Sequence, residues 1–211
     1  MHTPSLFREA DPARLHDLIE SYCFGTLVAQ SPGGGLEISH IPFLLDRNAG
    51  AFGRLRCHVA RTNPLWRAVL DGGPVVAIFS GPSAYVSARW YERPEEHVPT
   101  WNYAVVHVHG RVEGPATEDE LRQQLEDMAA MQERGAAQPW SLAELPGDLV
   151  EDLMGGIVGL SIRIEHIEGN FKLSQNRTPA DRRRVMEALA ARGAPADLEV
   201  LRLMRQDAQE P

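Results

Sequence analysis

Short period-two runs of hydrophobic residues dominate the middle of the chain, while helical spacing governs its two ends and one internal segment. Asp11-Pro12 reads as an N-cap with proline at the first helical position, ahead of Leu15, Leu18, Ile19 and Tyr22, which predicts an amphipathic helix. The runs Phe24 to Gln30 and Leu36 to Leu45 flank the turn cluster Ser31-Pro32-Gly33-Gly34-Gly35 and predict a hairpin. After a turn at Asp46 to Gly50, Leu55, Cys57 and Val59 alternate with Arg54, Arg56 and His58, giving a strand whose polar face is open to water or to an anion. Asn63 as N-cap and Pro64 then open a short helix through Trp66, Val69 and Leu70 to Gly72-Gly73. Strand end, exposed cations and a helix start meet there, a sensible place for a phosphate.

Val75 to Phe79 is apolar on both faces and belongs in the middle of a sheet or barrel. Gly81-Pro82 predicts a turn, with Tyr85 to Trp90 the next extended piece. Pro99 makes His97 to Trp101 a loop, and the following strand sets Ala104, Val106 and Val108 against Val105, His107 and His109. Thr117 and Glu120 form a capping box before the stripe Leu121, Leu125, Met128 and Met131, and a second short helix centres on Leu149, Val150 and Leu153. Val158, Leu160, Ile162 and Ile164 alternate along a strand from Ile157 to Glu165. Thr178-Pro179 caps a helix to about Arg192, and Pro195 starts a last one through Leu198, Leu201 and Met204. Six or seven strands joined by short connections favour antiparallel pairing: mainly β with flanking helices, as a barrel or an α+β layer rather than a doubly wound sheet. No linker divides the chain, so residues 1–211 read as a single domain with a helical insertion near 117–155 and C-terminal helices near 178–206.

Composition narrows the partners. No apolar run reaches the roughly 18 to 20 residues of a membrane span, so the expectation is a soluble cytoplasmic protein without membrane contact. Cys23 and Cys57 lack metal-type spacing and read as two ordinary buried thiols. A net charge of -8 supplies no general field for a polyanion, and the run Arg182-Arg183-Arg184 reads as a solvated helix face. Among 21 basic residues the single lysine is Lys172, which marks a place suited to a compact ammonium, such as a contact to phosphate or a flavin ring.

The stretch His97 to Gly110 holds His97, His107 and His109 together with Trp101, Asn102 and Tyr103. A His-x-His strand puts two ring nitrogens on one face, but without a third or fourth ligand close in sequence it is not a metal site. No metal is therefore expected, and the two histidines are supporting or interface candidates. A nucleophilic serine motif is absent.

Five blocks, in order, carry a family resemblance: Ile38 to Asp46, His58 to Trp66, Ile78 to Ser87, Val98 to Tyr103 and Lys172 to Arg177. With Pro-Thr-Trp-Asn-Tyr and Lys-Leu-Ser-Gln-Asn-Arg the most specific, the chain resembles the PaiB-type transcriptional regulators over nearly its whole length. It departs from the pattern at Cys57, where glycine is common, and at Thr62, where alanine is common. The resemblance implies an antiparallel FMN-binding split β-barrel, akin in fold to pyridoxamine phosphate oxidases, normally a homodimer with flavin near the subunit interface. It also implies negative regulation of transcription linked to sporulation and degradative enzymes, with DNA binding possible but unsupported by the charge. FMN needs cations or helix-terminal amides for its phosphate, small polar groups for its ribityl chain and an aromatic wall for its ring. On the matched blocks, His58, Arg61 and Asn63 suit the first, Ser39 and His40 the second, and Thr100, Trp101 and Asn102 the third, while Lys172 and Gln175 suit the phosphate or the ring edge. Capping also accounts for Asn63, core packing for Trp101 and a surface ion pair for Arg61. The expected function is an FMN-binding regulator sensing redox state or a small molecule through the flavin. The alternatives are an FMN-dependent oxidoreductase and a haem- or metal-binding barrel.

Overall fold

The computed structural model describes residues 1–31, 33–70 and 72–207; Pro32 of the expected turn cluster lies outside them. Eight strands, β1 (Arg8–Glu9), β2 (Phe24–Gln30), β3 (Leu36–Pro42), β4 (Leu44–Asp46), β5 (Arg54–Ala60), β6 (Pro74–Val86), β7 (Thr100–Pro115) and β8 (Ile157–Lys172), form one sheet in the order β3-β2-β6-β7-β8-β5-β4, with β1 on β8. The helices are α1 (Pro12–Ser21), α2 (Leu65–Val69), α3 (Glu118–Gln132), α4 (Gly147–Gly155), α5 (Pro179–Arg192) and α6 (Pro195–Asp207). The architecture is the expected one, mainly β and antiparallel with flanking helices. No helix among the described residues is long and apolar enough to cross a membrane.

Expectations change first in the long strands: Thr100 and Trp101, expected in a loop, already belong to β7. β6 continues through Gly81-Pro82, where its buried alternation shifts by one residue: Val75, Ala77 and Phe79 are buried before it and Pro82, Ala84 and Val86 after it, with Ser80 and Gly81 both unburied between. A strand accepts proline where no ladder donor is needed. The strand stops at Val86, and Ala88–Trp90 is a 3-10 turn whose first turn is capped by Ser87 Oγ, which accepts from Arg89 N at 3.2 Å. β8 continues to Lys172, past a break in its alternation where Glu165 and His166 are both exposed.

Contacts group the chain into two compact units. The larger comprises His16–Phe79 and His107–Ile167. Here β2 pairs with β3 and β6, and β5 pairs with β8 from Arg54↔Arg163 to Ala60↔Ile157. Leu121 of α3 meets Val150 and Met154 of α4 in a buried cluster. Gly110 has no room for a side chain, since a Cβ there would collide with the Arg163 carbonyl oxygen. The polar face of β5 is filled by acids rather than left open: Arg56 pairs with Asp46 and Asp127, each at 2.8 Å, and Arg54 with Glu113 at 3.5 Å.

The other unit comprises Met1–Leu15, Ser80–Val106 and the chain from Glu168 onward. α5 and α6 bury Val185, Leu189, Val200, Leu201 and Met204. Thr178 Oγ1 caps α5 by accepting from Asp181 N at 3.1 Å, and Gly193 ends it in the left-handed region at φ 66°. The arginine run on α5 is more than a solvated face. Arg182 donates to Asp207 at 2.5 Å and Arg184 to the Trp90 carbonyl at 2.8 Å, leaving Arg183 exposed.

Candidate functional site

The candidates fall into two groups, one in each unit. In the unit holding α5 and α6, β7 begins at Thr100 and β8 ends at Lys172, and the two side chains meet: Lys172 Nζ donates to Thr100 Oγ1 at 2.5 Å. The ammonium also stands 6.0 Å from the Phe7 ring centroid. Burial lowers the Lys172 pKa, and the positive charge of Arg177 lowers it further. Alternation along β7 sends Asn102 inward, fully buried, and leaves Trp101 53% exposed. Core packing therefore does not account for Trp101, which stands edge-on to Tyr85 with ring centroids 6.0 Å apart.

Two other candidates in this unit are engaged in building a turn. Gln175 Oε1 accepts from Leu173 N at 2.6 Å while its Nε2 donates to the Phe171 carbonyl at 2.7 Å. Asn102 Nδ2 donates to Ser174 Oγ at 2.9 Å, and Ser174 Oγ donates back to Asn102 Oδ1 at 3.1 Å. Ser174, which sequence reasoning passed over, is the one non-glycine residue with positive φ among those described, at 64°. Its only sequence signal was its place in the Lys-Leu-Ser-Gln-Asn-Arg block. Arg177, from the same block, donates to His97 Nδ1 at 3.1 Å and stacks 4.5 Å over the Tyr91 ring.

In the other unit, Asn63 Nδ2 donates to Ser39 Oγ at 2.9 Å, and Asn63 Oδ1 accepts from Leu65 N at 2.9 Å, so capping and a side-chain contact coexist. Exposed His40 has Nδ1 2.9 Å from Thr26 Oγ1. His58 Nδ1 is buried without a hydrogen-bond partner, and burial lowers its pKa, which keeps the imidazole neutral near pH 7. Among the described residues, Arg61 is engaged with backbone carbonyls rather than with an acid. Its Nε donates to the Gly155 carbonyl at 2.6 Å and its Nη2 to that of Ile157 at 3.0 Å, which braces the end of α4. It lines a cavity of about 380 Å³ together with Glu118 and Glu151, whose charge opposes a phosphate.

Comparison with known proteins follows from this geometry. A family described as "Putative FMN-binding domain" matches residues 1–166. The protease synthase and sporulation protein PAI 2 of Bacillus subtilis is 32% identical over 204 residues, covering 97% of this chain and 96% of that one. A protein of Emericella nidulans is 28% identical over 243 residues, covering 98% and 97%. Among solved structures, the FAD and heme binding protein of Mycobacterium smegmatis superposes with TM-score 0.60 at 18% identity, over 89% of this chain and 80% of that one. The flavocytochrome Anf3 of Azotobacter vinelandii gives 0.56 at 14%, over 84% and 73%. These two likenesses show a shared fold. The family match over most of the sequence, and the similarity to PAI 2 over nearly all of it, show that the chain belongs to the PaiB-type family of FMN-binding domains.

Proposed function

We propose that the protein is a PaiB-like regulator that binds FMN and senses redox state or a small molecule through it, with Lys172 as the cation that meets the cofactor. The observation that carries this reading is the half-buried Lys172 ammonium on Thr100, in the unit that also leaves Trp101 and Tyr85 exposed. The residues present fit the group: an ammonium has three donors, Thr100 takes one, and an anionic oxygen can take another. Trp101 offers a flat apolar wall. Ser39, His40, His58 and Asn63 belong to the other unit, where the orphaned His58 Nδ1 is a buried atom still lacking a partner among the described residues. When bound, the flavin supplies a ring that takes up and returns electrons. Lys172 holds the charge, Thr100 fixes the ammonium, and the turn at Ser174 fixes the strand end that carries it.

Titration of flavin-free protein with FMN, read by flavin fluorescence, tests the reading. Lys172→Gln should weaken binding by about tenfold or more, the equivalent of a charge-assisted hydrogen bond of roughly 1.5 to 3 kcal/mol. Lys172→Arg should fail to restore it, because a planar guanidinium does not replace a compact ammonium. Arg61→Ala serves as comparison and should act on stability more than on affinity, its donors being given to α4. Equal FMN affinity in Lys172→Gln and the parent protein would remove Lys172 from the site.

The same reading includes a homodimer with flavin near the interface. Leu36, Ile38 and His40 share one face of β3, the first strand in the sheet order, and Phe24 lies beside them on β2; Phe24, Leu36 and Ile38 are 69%, 66% and 56% exposed. Behind Ile38 in register come Val28 and then Val76, both half-buried. An apolar sheet face of this extent is suited to a second copy of the chain.

A further inference from the structure

Gln124 interrupts the buried stripe of α3. Leu121 and Met128 share its helix face, and Gln124 is itself only 1% exposed, yet its Nε2 has no hydrogen-bond partner among the described residues. Its Oε1 is turned toward Gly159 of β8, where an added Cβ would lie 3.6 Å away, so Nε2 faces the other side of the carboxamide. Ser161 stands two residues farther along β8, on the same face as Gly159 and opposite Arg56 of β5. Its Oγ is a second buried atom without a partner among the described residues. Buried polar groups left unpaired are costly, so two of them in one place call for a molecule between them.

Both side chains line a cavity of about 170 Å³ within the larger unit, completed by Arg54, Arg56, Glu120 and Gln123. A cavity of roughly 150 Å³ takes a molecule the size of benzene, so this one has room for more than a single water. The groups around it offer donors rather than acceptors. Arg54 touches Glu113 only at 3.5 Å, which leaves guanidinium N–H groups for a ligand. The Glu120 carboxylate is engaged in capping α3, its Oε2 accepting from Thr117 N at 2.8 Å and from Thr117 Oγ1 at 3.0 Å. Asp127 accepts from Gln123 Nε2 at 2.9 Å and, together with Asp46, holds Arg56.

We infer that Gln124, Ser161 and Arg54 form a site for the carboxylate of a small monoacid in the size range of acetate to pyruvate. Gln124 Nε2 and Ser161 Oγ donate to its oxygens, and Arg54 balances its charge. A dianion fits less well, because Glu120 at the cavity and Glu113 beside Arg54 already answer part of the positive charge.

The test is a titration of isotope-labelled full-length protein with sodium acetate at constant ionic strength. It is read at the Gln124 side-chain amide, whose NMR signal is assigned by its loss in Gln124→Met. A saturable shift is expected. Ser161→Ala and Arg54→Gln should each raise the half-saturating acetate concentration about tenfold, the effect of losing one hydrogen bond to a charged group. Arg93→Gln, which removes the same charge from the other unit, should leave it unaltered. Acetate should also raise the melting temperature of the parent protein and not that of Gln124→Met. Inorganic phosphate should bind more weakly than acetate. The proposal is overturned by a shift that never saturates or that persists unchanged in Ser161→Ala, the result for a cavity holding water alone. Phosphate binding more tightly than acetate, or an equal loss in Arg93→Gln, overturns it too. None of these readouts needs FMN, so failure here and failure of the Lys172 titration give separate results.

Discussion

At the scale of single residues, Ser174 shows how backbone strain and a buried hydrogen bond offset each other. A left-handed φ costs an L-residue roughly 1 to 2 kcal/mol, and here two hydrogen bonds with Asn102 hold it in place. Asn102→Ala should therefore destabilise the protein by roughly 2 to 3 kcal/mol, since it strands a buried hydroxyl as well as removing the bond. Ser174→Gly and Ser174→Ala both strand the buried Asn102 amide, but glycine adopts the left-handed conformation freely, so Ser174→Gly should cost roughly 1 to 2 kcal/mol less than Ser174→Ala. Urea unfolding midpoints measure both, and equal losses would refute the strain account. Lys172 stands out in the sequence by its rarity, whereas nothing in the string Leu-Ser-Gln signals a left-handed residue. Cysteine chemistry was half legible. Cys57 is fully buried and its thiol is pushed up to about 12, but Cys23 is only partly buried and accepts from Gln132 Nε2 at 3.3 Å.

At the scale of elements, capping residues were the most readable signals and long strands the least. Thr117 with Glu120 and Thr178 with Pro179 start α3 and α5 as their chemistry requires. Pro82 was misleading, because a proline inside a strand resembles a turn until its missing donor is seen to matter little. The far half of β8 was hidden by the break at Glu165-His166, and Arg61's grip on α4 depends on carbonyls far along the chain, which no local pattern encodes. The start of α5 carries a pH dependence. Buried Asp181 accepts from Glu92 N at 2.8 Å, and this bond, helped by Thr178 and by the charges of His97 and Arg177, lowers its pKa against the opposing effect of burial. A depressed folded pKa gives stability that is complete above the ordinary value of 3.8 and is lost as pH falls through the lower folded value. The urea midpoint should fall on acidification from about pH 5 to 3, and Asp181→Asn should flatten that fall; an unchanged slope in the variant would exclude Asp181.

At the scale of the whole molecule, charge and apolar surface point to different partners. A net charge of -8, with Arg182 and Arg192 both paired to aspartates, gives a polyanion little to hold, whereas the face of Phe24, Leu36 and Ile38 favours self-association. Ile38→Asp should convert a dimer to a monomer in light scattering coupled to size exclusion. A parent protein already monomeric, or a variant still dimeric, would argue against that face. The place where β7 passes β8 has a use in the living cell. Gly110 leaves no space for a methyl group beside Arg163, so Gly110→Ala stores overpacking of roughly 1 to 3 kcal/mol in the larger unit. At this chain length each kilocalorie lowers the melting point by about 2 to 4 °C. Such an allele is a thermal switch, with which a cell's dependence on the protein can be turned off by warming while every polar and charged side chain of the protein stays in place.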